Sequence, residues 1–122
     1  ISESSGTDFR VWSGNDDETF SIMALGGFGV VSVASNIVGV QIKRMIGSIL
    51  EGNIESASDQ HKELLPLFQG LFWITNPILI KRALNLSGFE VGGLRLPMKD
   101  SDELNRDFSE LLSRYDIDVT NV

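Results

Sequence analysis

Two short segments rich in β-branched residues constrain the fold of this chain more than any other feature. Val11–Ser13 and Phe28–Val33 have the pattern of strands, and the segment between them has the pattern of a helix. The second segment, FGVVSV, is a continuous apolar run, which is typical of a strand covered by helices on both faces. The order strand, helix, strand requires a parallel sheet. Because two strands cannot form such a covered sheet by themselves, the pattern predicts an incomplete one.

Helical periodicity dominates the remainder of the sequence. The segment Asn15-Asp16-Asp17 is suited to cap a first helix that ends at Gly26-Gly27. Apolar residues recur at helical spacing after the second strand and predict four further helices. These are a helix over Ile37–Leu50 that ends at Gly52, a helix over Ile54–Phe72 with a kink or split at Pro66, a helix with Asn76 as its cap and Pro77 at its first position that ends at Gly88, and a helix capped by Ser101-Asp102-Glu103.

Composition excludes several classes of protein. The chain has 122 residues, which is the size of one domain, and 17 acidic against 10 basic residues give it a net charge of −7. This charge argues against a nucleic-acid partner, because phosphate binding needs clustered Lys and Arg. The absence of cysteine excludes disulfides and thiolate catalysis. The longest apolar stretch is far shorter than the roughly 20 residues that span a bilayer, and the polar N-terminus lacks a signal peptide. We therefore expect a soluble, cytoplasmic protein without a membrane partner.

Four motifs, in this order and at this spacing, resemble one enzyme family. They are VWSGNDD, LGGFGVVSVASN, NPILIKRAL and LRLPM. Together they resemble the C-terminal portion of the dihydrodipicolinate synthase family, which belongs to the class I pyruvate-dependent aldolases together with N-acetylneuraminate lyase. That family folds as a TIM (β/α)8 barrel with a C-terminal helical extension. The resemblance therefore implies an α/β fold in which residues 1–52 are the last βα units of a barrel and residues 53–122 are a three-helix extension.

The resemblance implies part of a lyase that uses no cofactor. In the family, a lysine in the motif IKESSG binds pyruvate as a Schiff base, and the product of condensation with aspartate semialdehyde serves lysine biosynthesis. The matching motif here is ISESSG, so Ser2 occupies the lysine position, and a serine cannot form an imine. The family also has a helix between this motif and strand seven that is missing here. We therefore expect a piece of a longer enzyme, without a catalytic residue of its own and inactive alone.

The resemblance also implies where the substrates of the intact enzyme would lie. Barrel enzymes carry their chemistry at the C-terminal ends of the strands. The resemblance places Val31 in the wall of the pyruvate pocket and places Gly14, Asn15 and Asp16 on the side of the aldehyde substrate. From the residues alone, two other interpretations stay open. In one, Asn15 and Asp16 do nothing more than cap a helix. In the other, Val31 does nothing more than pack inside a barrel.

Several other residues have simpler structural explanations. The glycines of Gly26–Gly29 resemble a dinucleotide-binding loop, but that loop follows a strand and opens a helix, whereas these glycines close a helix and open a strand. Asp16–Glu18 could be a metal site, but a simpler explanation is that they are acidic residues at the start of a helix, where the helix dipole favours negative charge. His61, the one histidine, lies on an apolar helical stripe and is expected to be a partly buried structural residue. Lys81 is expected to be solvated or to lie at a helix end. No metal site is predicted.

The partners and the function class leave alternatives open. In an intact enzyme, the partners would be pyruvate, an aldehyde, and either further copies of the chain or a complementary N-terminal half. Phe72 and Trp73 are candidates for core or subunit contacts. A fragment of a related sugar-acid or N-acetylneuraminate aldolase is a second possibility. A third is a non-catalytic helical interaction module, which the helical content of residues 37–115 would support.

Overall fold

The computed structural model describes residues 9–100 and 102–119. Ser2 and Ser101, to which the sequence assigned roles, lie outside these ranges. Over the described residues the chain forms two short strands and five α-helices, in an α/β arrangement. The elements are β1 (Trp12–Ser13), α1 (Thr19–Ala24), β2 (Gly29–Val30), α2 (Ser35–Leu50), α3 (Ile54–Gly70), α4 (Ile78–Leu86) and α5 (Asn105–Leu112), with short 3₁₀ turns at Asp16–Glu18 and Asp102–Leu104.

The two strands are parallel, as the sequence predicted, but shorter than expected. Trp12 pairs with Gly29, and Ser13 pairs with Val30. One further bond beyond the pairs joins Val31 N to the carbonyl of Ser13, over 2.8 Å. The strand pattern of the sequence continued to Val33. The strand β2 itself ends at Val30. Beyond it, the Val33 amide donates to a side-chain carboxylate instead of to a neighbouring strand.

Several helices differ from their sequence predictions. The last one, α5, begins at Asn105 directly after Leu104, so Asp102 and Glu103 are not its cap. The expected split at Pro66 is wrong, because α3 continues through this residue to Gly70, and the expected kink there stays a prediction. Pro66 has no N–H for the carbonyl of Lys62, and both residues lie on the exposed side of α3, where solvent can satisfy that carbonyl. The expected helical position of Pro77 is also wrong. Its backbone angles are not helical (φ −104°, ψ 26°), and α4 begins one residue later.

The hydrophobic core lies between α2, α3, α4 and α5. Phe108 of α5 is fully buried, and its ring meets Trp73 edge-on at 6.4 Å between centroids. Burial of each such large side chain contributes about 1.5–3 kcal/mol. A smaller cluster of Met23, Ile49 and Ala57 joins α1 to α2 and α3. The main core consists of Ala34, Ile37, Val38, Ile42, Leu64, Leu67, Phe68, Leu71, Leu79, Ile80, Ala83, Leu84, Phe108 and Leu112.

The two-stranded sheet has one covered face and one open face. Side chains alternate along a strand, so Ser13 and Val30 share the face that packs toward the helices. Ser13 is fully buried, and Val30 contacts the main core. Trp12 and Val31 share the open face, and they are 50% and 70% exposed. This open face is an apolar surface that the described residues leave uncovered.

Trp12 lies across the neighbouring strand on that open face. A Cβ atom placed on Gly29 would lie 2.7 Å from Cζ3 of the indole, which is far closer than van der Waals contact. The ring of Phe28 meets the same indole edge-on, with centroids 5.0 Å apart. Glycine at position 29 is therefore what allows the indole to lie flat over β2.

Within residues 9–100 and 102–119, no helix combines the length and the apolar character needed to cross a membrane.

Two glycines provide a matched test of how α2 ends. Gly52 follows the helix with a left-handed φ of +79°, whereas Gly47 lies inside it, and among the described residues a Cβ atom added to either would meet nothing within 4 Å. We expect Gly52→Ala to lower the free energy of unfolding by about 1 kcal/mol through backbone strain. Gly47→Ala should raise it by up to about 1 kcal/mol through helix propensity. Urea unfolding followed by circular dichroism measures both, and changes of the same sign would contradict this account.

Candidate functional site

The carboxylate of Asp16 is the centre of the loop that follows β1. The residue is only 3% exposed. Its Oδ2 atom accepts hydrogen bonds from the backbone amides of Val33, over 3.0 Å, and Ala34, over 2.9 Å. Its Oδ1 atom accepts a hydrogen bond from the hydroxyl of Ser32. Both carboxylate oxygens are therefore used to join the loop after β1 to the segment after β2.

This arrangement changes the interpretation of Asn15 and Asp16 as caps of the helix that follows them. The Asp16 carboxylate binds amides just before α2, so it stabilises the start of α2 instead of the start of α1. The Asn15 side chain makes no capping bond to the backbone, and its Nδ2 atom donates to Oε2 of Glu18 over 3.0 Å. Neither side chain caps α1. The expectation that these residues face an aldehyde stays a prediction.

Two buried hydroxyl groups hold the backbone of this loop. The Ser13 hydroxyl donates to the carbonyl of Asn15 over 2.7 Å, and the Thr19 hydroxyl donates to the same carbonyl over 3.1 Å. Both hydroxyl residues are almost completely buried. Gly14 and the side chain of Asn15 remain exposed at the surface of the loop. The loop is thus rigidly supported from below, while its outer surface stays accessible.

Three of the predicted site residues come together at one end of the sheet. Continuing the register beyond the Ser13–Val30 pair places Gly14 opposite Val31. Val31 lies on the open face, and Asn15 follows in the supported loop. Asp16 lies next to them but is buried beneath the loop. The structure therefore brings Gly14, Asn15 and Val31 to the C-terminal ends of the two strands, with Asp16 as their support.

Sequence reasoning missed the hydroxyl residues Ser13, Thr19 and Ser32. Each forms a hydrogen bond within the loops, and Ser13 and Ser32 belong to the motifs that carried the family resemblance. A hydroxyl at the end of each strand, with a carboxylate nearby in sequence, was the available signal. This signal indicates a polar contact between the strand ends. It does not show which hydroxyl binds the carboxylate.

The remaining candidate residues take part in other contacts. Gly26, with a left-handed φ of +91°, closes α1, and Gly29 belongs to β2, so these glycines do close a helix and open a strand. The Lys81 ammonium donates to the carbonyl of Gly93 in the connector after α4. Among residues 9–100 and 102–119, no three His, Asp or Glu side chains are grouped so that they could hold a metal ion.

A cavity of about 370 Å³ lies away from the strand ends. It is bounded by α2, α3 and the segment after α5, and Gln41, Glu63 and Asp116 are among its lining residues. None of Gly14, Asn15, Asp16 and Val31 lines it. The geometry at the strand ends, and not this cavity, corresponds to the site that the sequence predicted.

The side chain of His61 packs α3 against α1, the helix that follows the loop after β1. Its ring stacks on Phe20 of α1, with centroids 5.4 Å apart and an interplanar angle of 25°. The predicted partial burial is confirmed. Burial lowers the pKa of His61 below its ordinary value of 6.5, and the charge of Asp17 partly opposes this effect. The imidazole is therefore a packing group that favours its neutral form.

Comparison with known proteins identifies the class to which this arrangement belongs. Residues 1–114 match the model of the dihydrodipicolinate synthetase family. The chain is 54% identical over 113 residues to 4-hydroxy-tetrahydrodipicolinate synthase of Dehalococcoides mccartyi, and the match covers 92% of this chain and 38% of the relative. The chain therefore belongs to the dihydrodipicolinate synthetase family, and the resemblance seen in its motifs is confirmed.

Solved structures agree with this assignment. The chain is similar to dihydrodipicolinate synthase from Aquifex aeolicus with a TM-score of 0.89 and 39% identity, over 94% of this chain and 40% of that one. It is similar to dihydrodipicolinate synthase from Thermotoga maritima with a TM-score of 0.80 and 42% identity, over 89% of this chain and 38% of that one. The chain thus spans well under half of the length of the relatives it matches.

The buried carboxylate gives a first test of the site. Asp16→Ala removes three hydrogen bonds and leaves the buried amide of Ala34 without its acceptor, so we expect the free energy of unfolding to fall by about 2–4 kcal/mol. Asp17→Ala is the matched control, because the neighbouring side chain is exposed. It should change stability by no more than about 0.5 kcal/mol. Urea unfolding measures both variants, and equal losses would show that Asp16 has no special role.

The single histidine gives a second test, through pH. The unfolded chain binds a proton at the ordinary pKa of His61, about 6.5, whereas the folded chain resists protonation until the pH is lower. The stability that His61 contributes is therefore present above this pH and is lost as the pH falls through the lowered folded pKa. His61→Gln should flatten the dependence of unfolding free energy on pH between about 7 and 5.5. An unchanged slope in this variant would contradict the assignment.

Proposed function

We propose that this chain is the C-terminal part of a pyruvate-dependent lyase. In this proposal residues 1–52 supply the last βα units of a (β/α)8 barrel, and residues 53–122 form its helical extension. The observation that carries the proposal is the parallel sheet with one covered face and one open apolar face, in a chain of this family. A barrel needs eight such strands and about 250 residues. Further strands from the rest of an enzyme would cover Trp12 and Val31.

The proposed reaction is inferred from the relatives of the chain. The intact enzyme would bind pyruvate as a Schiff base on a lysine and deprotonate the imine to an enamine. The enamine carbon would then attack the aldehyde of aspartate semialdehyde, which leads to 4-hydroxy-tetrahydrodipicolinate in lysine biosynthesis. Ser2 stands at the position that the family motif gives to the lysine. The nucleophilic amine must therefore come from outside this sequence, and the chain alone is inactive.

The site residues have distinct proposed roles. Val31 lies on the open face at a strand end, which suits a residue in the wall of the pyruvate pocket. Gly14 and Asn15 are exposed at the adjacent strand end, which suits the side of the aldehyde. The buried Asp16 acts on the aldehyde side indirectly, because its oxygens are bound by Ser32, Val33 and Ala34. It keeps the two strand ends together.

The proposed macromolecular partners are further copies of the same protein, in addition to the strands that complete the barrel. Phe72 and Trp73 are 49% and 48% exposed between α3 and α4. Exposed aromatic residues next to each other are typical of contact surfaces. The Trp73 ring packs against Phe108 on one side, and about half of its surface stays available to a partner.

A non-catalytic interaction module is the second candidate. The observation that favours it is the main core, which draws its buried residues almost entirely from α2–α5 and depends little on the sheet. A helical unit of this kind could fold and bind a partner without any barrel. The two candidates differ in whether the strand ends support chemistry when the remaining strands are supplied.

A chimeric enzyme tests the proposal. Residues Phe9–Val122 would replace the matching C-terminal part of the Dehalococcoides mccartyi relative, which keeps its own preceding sequence and the Schiff-base lysine that the family places there. We expect the chimera to condense pyruvate with aspartate semialdehyde and to retain labelled pyruvate after borohydride reduction. The isolated 122-residue chain should stay unlabelled, because Ser2 cannot form an imine.

The control variant reproduces the motif of this chain. Replacing the lysine of the chimera by serine should abolish the label without changing the melting temperature by more than a few degrees. A covalent adduct on the isolated chain would contradict the proposal. A folded chimera without activity would instead favour the interaction module.

A further inference from the structure

Helix α2 is interrupted one turn after it begins. Val38 has backbone angles outside the helical region (φ −135°, ψ 37°), although it lies inside the helix. Such interruptions have physical causes, one of which is a side chain that enters the hydrogen-bond ladder. Here the carboxylate of Asp118 enters it, and its Oδ2 atom accepts a hydrogen bond from Val40 N over 2.6 Å. The acceptor comes from a residue 78 positions away in the sequence.

Asp118 contacts both sides of the interruption. Its backbone N–H donates to the carbonyl of Ile37, over 3.0 Å, on the side of the strands. Its carboxylate binds Val40 on the other side, at the N-terminal end of the longer part of α2, where the helix dipole favours a negative charge. The Gln41 amide adds a bond to the carbonyl of Asp116, over 2.8 Å. The segment Asp116–Asp118 therefore fixes the geometry of the interruption.

The turn before the interruption is fixed at its other end by the loop after β1. Asp16 binds the amide of Ala34, and Asp118 binds the carbonyl of Ile37. Ala34, Ile37 and Val38 are all fully buried in the main core. A closely packed turn held at both ends transmits a displacement from one end to the other. Val31 lies just before this held segment.

We propose that Asp118 is a positioning residue of the substrate site. It acts through the turn Ala34–Val38, which holds the end of β2 that carries Val31. This inference rests on the proposed function, in which Val31 lines the pyruvate pocket. It makes the described segment after α5, up to Val119, a part of what sets the geometry of the strand ends.

Hydrogen exchange of the 122-residue chain, read at assigned amides by NMR, tests the coupling without any activity. Asp118→Ala removes the acceptor of Val40, and we expect that amide to exchange about tenfold faster. The amides of Val33 and Ala34, which Asp16 binds, should also exchange faster. Asp118→Asn keeps an oxygen acceptor and should retain most of the protection. Asp116→Ala is the matched control, since its bond to Gln41 is made by the backbone carbonyl, and it should leave these amides unchanged.

The chimeric enzyme tests the consequence for the reaction. We expect Asp118→Ala to raise the KM for pyruvate about tenfold, whereas Asp118→Asn and Asp116→Ala stay within about twofold of the parent. If Asp118→Ala does not fold, Asp118→Glu replaces it in both measurements, because it displaces the carboxylate by one methylene group.

Two results would overturn the positioning role. One is unchanged exchange at Val33 and Ala34 in the variant without the acceptor. The other is an unchanged KM in an active chimera whose Val40 amide is deprotected, which would limit Asp118 to stabilising α2. An inactive parent chimera would contradict the proposed function instead, and the exchange rates alone would then decide whether the coupling exists.

Discussion

The buried carboxylate of Asp16 is the interaction on which the arrangement of both strands depends. A carboxylate removed from water is stable only when donors surround it. Its donors here are Ser32, Val33 and Ala34, which all follow the other strand. The two strand ends cannot separate without leaving a buried charge and buried amides unpaired. A sheet of only two residue pairs is thus fixed by a contact that lies just beyond it.

Sequence patterns predicted the parts of the structure that depend on local spacing. The parallel strands, the order of the helices and the family all follow from periodicity, turn residues and four motifs. The partners of Asp16 and the interruption at Val38 could not be predicted, because the groups that bind there come from distant positions. The split expected at Pro66 was wrong for a different reason. The effect of Pro66 on α3 depends on solvent exposure, which the residue type does not reveal.

The division of the hydrophobic surface explains how the helices can pack together beside a sheet of only two strands. Most buried side chains lie between α2, α3, α4 and α5, whereas the sheet contributes one covered face at the edge of this core. The helices bury their apolar surface against each other, and the strands keep theirs available. The chain therefore combines a helical core that is largely satisfied by its own residues with an apolar sheet face that is not.

The indole of Trp12 has a consequence for how this sheet can vary among related sequences. It occupies the space above Gly29, where even a methyl group would overlap it. A larger residue at position 29 is therefore tolerated only together with a smaller or differently oriented residue at position 12. The side chains at positions 12 and 29 compete for the same space, so their combined volume is limited. Substitutions at them should covary, and an alignment column for either one is interpretable only beside the other.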